Sequence, residues 1–301
     1  MNQGFSKLVE SEGFWKLVIV LDTIVWGLSF VLMKDVVREV PVFWLLFWRY
    51  LISALVAAAL FVRRIAGGIS RQTLVFGLVM GVTGWLAYVF QTAGIAYTTA
   101  GKNAFLTAVY CVLVPFVAWR LGMGKPAANN VLGAVVSLVG MGFVAVDNGL
   151  PINRGDALTL VCAVVFAVQL ALIPKVGRGA DIMVGTVIQF AVEAALSLPC
   201  ALAFEEAPAA ATFTPTIVGE LLFLAVFATV IVFLLYNKAF TEVDPTAGAV
   251  LSALESPWGV FFSVLLTGEV LTPQLLLGFG LIFCGILVSE VGPKLVARLH
   301  R

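Results

Sequence analysis

The chain has 301 residues, of which 61% are apolar and 12% are charged, and its formal net charge is +1. Soluble domains carry about twice that charged fraction, so the composition excludes an ordinary soluble protein. The longest link between apolar stretches covers only residues 204–216, which leaves no soluble domain to bind and hydrolyse a nucleotide. A primary pump is therefore not expected unless a partner chain supplies that domain.

Ten apolar stretches follow one another along the chain. The length of each stretch is close to the number of residues, about 20, that a helix needs to cross a bilayer core. In chain order, segments 1 to 10 cover residues 15–34, 41–62, 74–97, 101–120, 130–147, 156–175, 181–203, 217–238, 245–267 and 273–292. The sequence therefore predicts an all-α integral membrane protein with ten transmembrane helices.

The ten segments form two sets of five that carry the same landmarks in the same order. Arg49 in segment 2 corresponds to Gln189 in segment 7, and Pro115 in segment 4 corresponds to Pro257 in segment 9. Because each set has an odd number of crossings, the second set is predicted to be inverted relative to the first, as in many secondary transporters. The predicted parts are a first repeat at 1–147, a second repeat at 155–293 and a cytoplasmic tail at 294–301.

A pair of glycines seven residues apart recurs in segments 5 and 10. The pairs are Gly133 with Gly140 and Gly278 with Gly285. Residues at this spacing share one helix face, and glycine lets two backbones approach closely. We predict that segments 5 and 10 pack tightly through these glycines and support the rest of the bundle.

Basic residues are unevenly divided between alternate links. With the N-terminus inside, the inner links and tails hold Lys7, Lys16, Arg63, Arg64, Arg71, Arg120, Lys125, Lys175, Arg178, Lys238, Lys294, Arg298 and Arg301. The outer links hold Lys34, Arg38, Lys102 and Arg154. The positive-inside rule then predicts a multi-pass protein of the inner cell membrane with both termini in the cytoplasm.

Several short motifs resemble those of one transporter family. They are Trp26–Phe30 (WGLSF), Tyr97–Lys102 (YTTAGK), Leu254–Pro257 (LESP) and Thr267–Glu269 (TGE). With them, residues 15–293 are similar to EamA-type permeases of the drug/metabolite transporter (DMT) superfamily. The resemblance implies ten helices in two inverted repeats, a central cavity lined by the first four helices of each half, and export of metabolites or amino acids.

Four charged residues lie inside apolar segments, where a charge near the bilayer centre costs about 3 kcal/mol or more. The first two are Glu255 and Arg49. Glu255 of segment 9 is interpreted as a carboxylate that exchanges a proton or binds a substrate amine. Alternatively, it is paired permanently with Arg49 or hydrogen-bonded as a neutral acid. Arg49 of segment 2 is a counter-ion for a substrate carboxylate or, alternatively, a structural partner of Asp22 or Glu255.

Two further acids stand where the family resemblance implies uncharged residues. Asp22 shares a face of segment 1 with Trp26, an arrangement that suits a cationic or aromatic substrate. Alternatively, Asp22 is solvated near the inner end and Trp26 is a packing residue. Glu193 of segment 7 is a candidate gating or pairing residue. Lys125 also departs from the family, which often has Glu at that place.

Uncharged polar and aromatic residues recur on helices that the repeat pairs with one another. Each could simply join two helices, but together they suit a cavity that binds both ends of a zwitterion. The predicted cavity residues are Trp26, Ser29, Arg49, Tyr88, Gln91, Asn103, Thr107, Tyr110, Phe166, Gln169, Gln189, Tyr236, Asn237, Ser252 and Glu255. Asp22, Glu193 and Glu255 are the candidates for ion coupling or pairing.

These features predict a secondary transporter that exports small organic solutes, namely amino acids or related metabolites, by alternating access. Coupling of this transport to protons is a further hypothesis. The alternatives are an uncoupled facilitator, a multidrug or organic-cation exporter, or a structural or lipid-moving bundle. No enzyme, cofactor or metal is expected, since the lone histidine, His300, lies in the tail and no acidic cluster has metal-ligand spacing. The expected partners are a small-molecule substrate and the lipid bilayer, not nucleic acid, with the chain as a monomer or homodimer.

Overall fold

The computed structural model describes residues 11–145, 153–243 and 251–299, and their side chains except those of residues 145, 237, 240, 241 and 290–299. The described chain is helical throughout, without β-strands. His300 and residues 146–152, where the predicted repeats meet, therefore lie outside the described residues.

The described residues of the first part, 11–145, form seven helices. They are α1 (Glu12–Glu39), α2 (Val42–Leu60), α3 (Val62–Ala66), α4 (Arg71–Tyr97), α5 (Ala100–Ala108), α6 (Tyr110–Arg120) and α7 (Ala128–Ala145). Predicted segment 4 is thus divided at Val109 into α5 and α6. The short α3 belongs to the link after segment 2.

Among the described residues of the second part, six further helices have bounds that can be given. They are α8 (Arg154–Val176), α9 (Ile182–Phe204), α10 (Pro215–Leu222), α11 (Val232–Glu242), α12 (Glu255–Thr267) and α13 (Pro273–Leu299). A π-helical segment, Phe223–Ile231, joins α10 to α11, so these three pieces form one continuous rod. A short 3₁₀ turn, Ala210–Thr212, lies in the link before α10.

Several of these helices begin at a polar residue that caps the first turn. The side chains of Ser70, Thr99, Asn153, Asp181 and Thr214 each accept a hydrogen bond from a backbone N–H two or three residues further on. Such caps satisfy amides that have no partner within the helix. They fix where each helix starts after its link.

Seven helices in the described part of the chain are long and apolar enough to cross a membrane. They are Glu12–Glu39, Val42–Leu60, Arg71–Tyr97, Ala100–Arg120, Arg154–Val176, Ile182–Phe204 and Pro215–Tyr236, with shorter apolar helices at Ala128–Val144 and Pro273–Ser289. Large apolar side chains such as Leu55, Leu60 and Leu202 lie more than 60% exposed on their outer surfaces, as lipid contact requires. The chain is a multi-pass, all-helical membrane protein, while the predicted count of ten crossings is not established.

Helices α7 and α13 pack against each other through the predicted glycines. A Cβ atom built on Gly133 would lie 2.5 Å from the carbonyl oxygen of Gly285, and one built on Gly140 would lie 2.7 Å from that of Gly278. No side chain fits between backbones this close. The structure confirms the predicted packing of segments 5 and 10.

Candidate functional site

A cavity of about 100 Å³ lies in the middle of the bundle, between the first and second parts of the chain. Its lining consists of Trp26, Ser29, Phe30, Met33, Arg49, Tyr88, Gln91, Thr107, Tyr110, Phe166, Gln169, Leu170, Phe233, Tyr236 and Glu255. Ligand pockets usually have at least about 300 Å³, so this cavity is small for a binding site and must widen to admit a solute of amino-acid size.

Eleven of the fifteen predicted cavity residues line it, and three of the other four have described side chains that lie outside the lining. Asn103 instead donates a hydrogen bond to Thr159 Oγ1 at 2.7 Å and so joins two helices. Gln189 donates to Glu193 Oε1 at 3.0 Å, and Ser252 donates to the hydroxyl of Tyr236 at 3.1 Å.

The fourth residue, Asn237, has its side chain outside the described part of the structure. The sequence interpretation missed Phe30, Met33, Leu170 and Phe233, which also line the cavity. Helical spacing does place Met33 on the same face as Trp26, although Met33 was not among the predicted cavity residues. Phe30 lies four residues after Trp26, so the same spacing could have identified it.

Arg49 supplies a positive charge to the cavity and is only 1% exposed. Its Nε donates to Thr229 Oγ1 at 2.9 Å, and its guanidinium carbon lies 5.0 Å from the centre of the Tyr88 ring. Among the described residues, Arg49 makes no salt bridge, so neither Asp22 nor Glu255 is its partner in this structure. Its charge is stabilised by a hydroxyl and aromatic faces.

The π-helical segment holds two cavity side chains in place. A π-helical turn shifts the backbone bonding pattern and is often found at functional sites. Here the carbonyl of Ala228 accepts a hydrogen bond from Trp26 Nε1 at 3.1 Å, and that of Ala225 accepts one from Ser53 at 2.9 Å. With Thr229, which bonds Arg49, this segment orients the indole and the guanidinium.

Two interrupted helices meet at the cavity. Tyr110 is the first residue of α6, directly after the break at Val109, and Glu255 is the first residue of α12, directly after a turn at 253–254. The Tyr110 hydroxyl donates to Glu255 Oε1 at 3.3 Å. Irregular backbone at membrane depth is tolerated where it lines a polar cavity, and broken helices commonly form transport sites.

The other two predicted acids lie outside the cavity lining. Asp22 is 3% exposed, one helical turn before Trp26, and its Oδ2 has no hydrogen-bond partner among the described residues. The alternative that Asp22 is solvated is therefore wrong for this structure. Glu193 is fully buried in α9, behind the cavity wall.

Carboxylates join the first and second parts of the chain at one end of the bundle, which we name the clamp end. It contains the end of α4, the start of α5 and the link between α12 and α13. Glu269 of that link accepts hydrogen bonds from the hydroxyls of Thr99 and Ser263 and, at 3.2 Å, from the amide of Gly101. Its charge therefore lies at the N-terminus of α5, where the helix dipole favours an anion.

Two more carboxylates make similar contacts at the clamp end. Asp156 accepts a hydrogen bond from Thr98 Oγ1 at 2.6 Å and lies 3.6 Å from Lys102 Nζ. Glu205 accepts hydrogen bonds at 2.9–3.1 Å from the amides of Phe43 and Trp44, the first turn of α2. All three acids belong to the second part of the chain and bind the first.

Comparison with known proteins assigns the chain to a family. The model of the EamA-like transporter family matches residues 13–146 and again residues 153–290. The chain belongs to the EamA-like transporter family. The recognition made from the sequence motifs is thereby confirmed.

Relatives and a solved structure agree with this family assignment. An uncharacterized transporter of Archaeoglobus fulgidus is 30% identical over 229 residues, which cover 71% of this chain and 68% of the relative. The uncharacterized transporter YoaV of Bacillus subtilis is 23% identical over 91% of this chain and 95% of its own. A protein of known crystal structure, 17% identical in sequence, aligns with this chain at a TM-score of 0.68. The alignment covers 95% of this chain and 99% of the other, which supports the fold.

Proposed function

We propose that this EamA-like transporter exports small organic solutes, namely amino acids or related metabolites, by alternating access. The observation that carries the proposal is the central cavity, to which both parts of the chain contribute and at which two interrupted helices meet. A site of this kind is open to one side of the membrane at a time when the two parts rock against each other.

The proposed topology is ten transmembrane helices in two inverted repeats, at residues 1–147 and 155–293. It is supported by the family match to both parts of the chain and by the seven long and two shorter apolar helices. The remaining crossing would be the stretch that includes α12. The excess of basic residues in alternate links supports an inner membrane location with both termini in the cytoplasm.

A zwitterionic substrate suits the charges in the proposed site. Arg49 offers a guanidinium without a carboxylate partner among the described residues, and Glu255 offers a carboxyl group whose one described hydrogen bond comes from Tyr110. The same cavity is lined by Trp26, Tyr88 and other aromatic rings, which can cover an apolar side chain or a cation. We propose that Arg49 binds the substrate carboxylate and Glu255 its ammonium group.

Transport by purified protein in lipid vesicles tests this function. Vesicles loaded with unlabelled neutral amino acids, organic cations or small acids are supplied with the labelled compound, and uptake by exchange is measured. We expect saturable exchange for at least one neutral amino acid. Trp26→Ala should reduce it at least about tenfold, since truncating an aromatic anchor of a binding site typically costs about 2 kcal/mol or more.

The matched control for that experiment is Trp119→Ala, because Trp119 is 46% exposed on α6 and does not line the cavity. It should leave exchange unchanged. A flux that never saturates, or equal losses for Trp26→Ala and Trp119→Ala, would contradict a carrier with its site in this cavity.

The clamp end corresponds to the outer face in the proposed orientation, and its carboxylates should hold that face closed. Hydrogen bonds to a charged group contribute about 1.5–3 kcal/mol each, so Glu269→Gln is expected to raise the outward-open population about tenfold. The measurement is the labelling rate, from outside the cell, of a cysteine placed at Gln91 in a chain whose native cysteines are replaced by alanine.

Glu206→Gln is the control for the clamp, because Glu206 is an exposed acid in the link after α9. It should leave the labelling rate at position 91 unchanged. If Glu269→Gln also leaves that rate unchanged, the carboxylate does not hold the outer face closed.

A further inference from the structure

We propose that Glu193 is a proton-binding site of this transporter, separate from the site that binds substrate. The proposal deepens the proposed function because it names the group through which protons would be coupled to transport. It rests on the burial of Glu193, on its hydrogen bonds and on its link to the cavity. The first of the two tests below does not depend on any transported solute.

Glu193 lies at the middle of α9 and is fully buried. Its Oε1 accepts one hydrogen bond, from Gln189 Nε2 at 3.0 Å. Its Oε2 has no hydrogen-bond partner among the described residues, and the side chain makes no salt bridge there. Few groups therefore stabilise a negative charge on this side chain.

The charged and titratable side chains that face Glu193 come from two neighbouring helices. They are Arg49 and Tyr50 of α2 and Tyr88 of α4. From α8 the neutral Gln169 approaches, and from α11 no charged group faces it among the described residues. Arg49 is directed to Thr229 and Tyr88, so its guanidinium is near the carboxyl group of Glu193 but not in contact with it.

These surroundings favour the neutral acid over the carboxylate. An ionised carboxylate with one amide donor loses far more hydration on burial than the hydroxyl of a neutral acid loses. A hydroxyl without a partner is also unfavourable, but its cost is the smaller of the two. In this state of the transporter, Glu193 therefore carries a proton.

The glycine opposite Glu193 connects the acid to the cavity. Gly84 of α4 lies directly against Glu193 Oε1, and a Cβ atom built on it would also lie 2.9 Å from Gln169 Nε2. Gln169 is itself part of the cavity lining. One polar side chain thus separates Glu193 from the cavity.

The exchange step is a simple acid dissociation. The O–H bond of the Glu193 carboxyl breaks, its proton passes to a water molecule in the widened cavity, and the carboxylate keeps the bonding electron pair. Arg49 can then compensate the new negative charge by moving toward it. Glu255, which faces the cavity directly, stays available for the substrate.

Infrared spectroscopy of the protein in lipid vesicles tests for the proton without any substrate. Protonated carboxyl groups absorb apart from carboxylates and amides, and their band shifts when deuterium replaces the proton. We expect the difference between wild type and Glu193→Gln at neutral pH to show a protonated-carboxyl band that shifts in heavy water. The difference between wild type and Glu206→Gln should show no such band. The spectrum of Glu193→Asp itself should still contain a protonated-carboxyl band.

The outcomes of that measurement are distinct. A band that is absent from the difference spectrum, or one that never shifts in heavy water, would overturn the proposal. Thermal unfolding provides a second arm, since Gln resembles a neutral acid in shape. Glu193→Gln should keep the melting temperature of wild type, whereas a marked fall would mean that Glu193 is an ionised, paired residue.

Transport gives the functional test, with the labelled neutral amino acid that exchanges best as the probe. If one proton is exchanged for each molecule of the probe, a gradient of one pH unit supports up to about tenfold accumulation of the probe. Wild type and Glu206→Gln should accumulate the probe, and Glu193→Gln should exchange it without accumulating it. Equal accumulation by Glu193→Gln would contradict coupling through Glu193, while absence of exchange by wild type would count against the proposed function alone.

Discussion

Gly133→Val is expected to destabilise the protein by about 3 kcal/mol or more, because the new side chain would enter a backbone contact. A Cβ atom at this position would lie 2.5 Å from the carbonyl oxygen of Gly285 and 2.9 Å from the amide nitrogen of Ser289. Backbone atoms cannot rotate away as a side chain can, so α7 and α13 must separate. The measurement is the melting temperature in detergent, together with the yield of monodisperse protein.

The matched control lies on the same helix. A Cβ atom built on Gly142 meets nothing within 4 Å, and this residue is exposed on the outer side of α7. Gly142→Val should therefore change stability by no more than about 0.5 kcal/mol. On α13, Gly280 is the corresponding control for a substitution of Gly285, because a Cβ atom built on Gly280 also meets nothing within 4 Å. Equal losses for Gly133→Val and Gly142→Val would mean that helix propensity, and not the contact between helices, sets the cost.

The glycine contact could be predicted from the sequence because its cause is local. Two glycines seven residues apart must share a helix face, and the same spacing in two segments indicates that the faces match. The face of α1 that contains Trp26, Ser29 and Met33 follows from the same periodicity. Asp22 shares that spacing but lies one turn beyond the cavity, since periodicity gives the direction of a side chain and not its depth.

Other features depend on contacts between distant residues and left no local signal. The π-helical segment is apolar apart from Thr229 and has no Gly or Pro to mark it. Its carbonyls are satisfied by Trp26 and Ser53, which precede it by more than 170 residues. Likewise, Glu205 and Glu269 are link residues whose role appears only when the amides of another helix lie opposite them.

The interrupted helices combine a local sequence signal with contacts between distant residues. Pro257 removes a backbone donor, so the sequence indicates weakened bonding one turn earlier, and the structure has its turn at 253–254. Pro115 has the corresponding place in segment 4, yet the break there occurs at Val109, further from the proline. A proline alone therefore does not mark a break, since Pro174 and Pro199 lie inside the unbroken helices α8 and α9. The residue at which a helix breaks depends on its packing against other helices.

Arg49→Gln is expected to remove the preference of the transporter for a carboxylate. The guanidinium is almost fully buried and has no carboxylate partner among the described residues, so its charge is free to bind the substrate. Truncating one partner of a buried charge pair costs about 2 kcal/mol or more, which corresponds to a loss of affinity of roughly 30-fold. The measurement compares competition by a neutral amino acid with competition by its amide, which lacks the carboxylate.

The ratio between those two competitors separates a binding role of Arg49 from a structural one. Wild type and the exposed control Arg63→Gln should favour the acid over the amide, and Arg49→Gln should treat both alike. Arg49→Lys should fall between them, because an ammonium keeps the charge but cannot form two parallel hydrogen bonds with a carboxylate. Since Arg49 forms no ion pair within the described chain, Arg49→Gln should also unfold at or above the wild-type temperature. A variant that unfolds earlier yet still prefers the acid would show that the guanidinium supports the fold, and that the carboxylate is recognised elsewhere in the cavity.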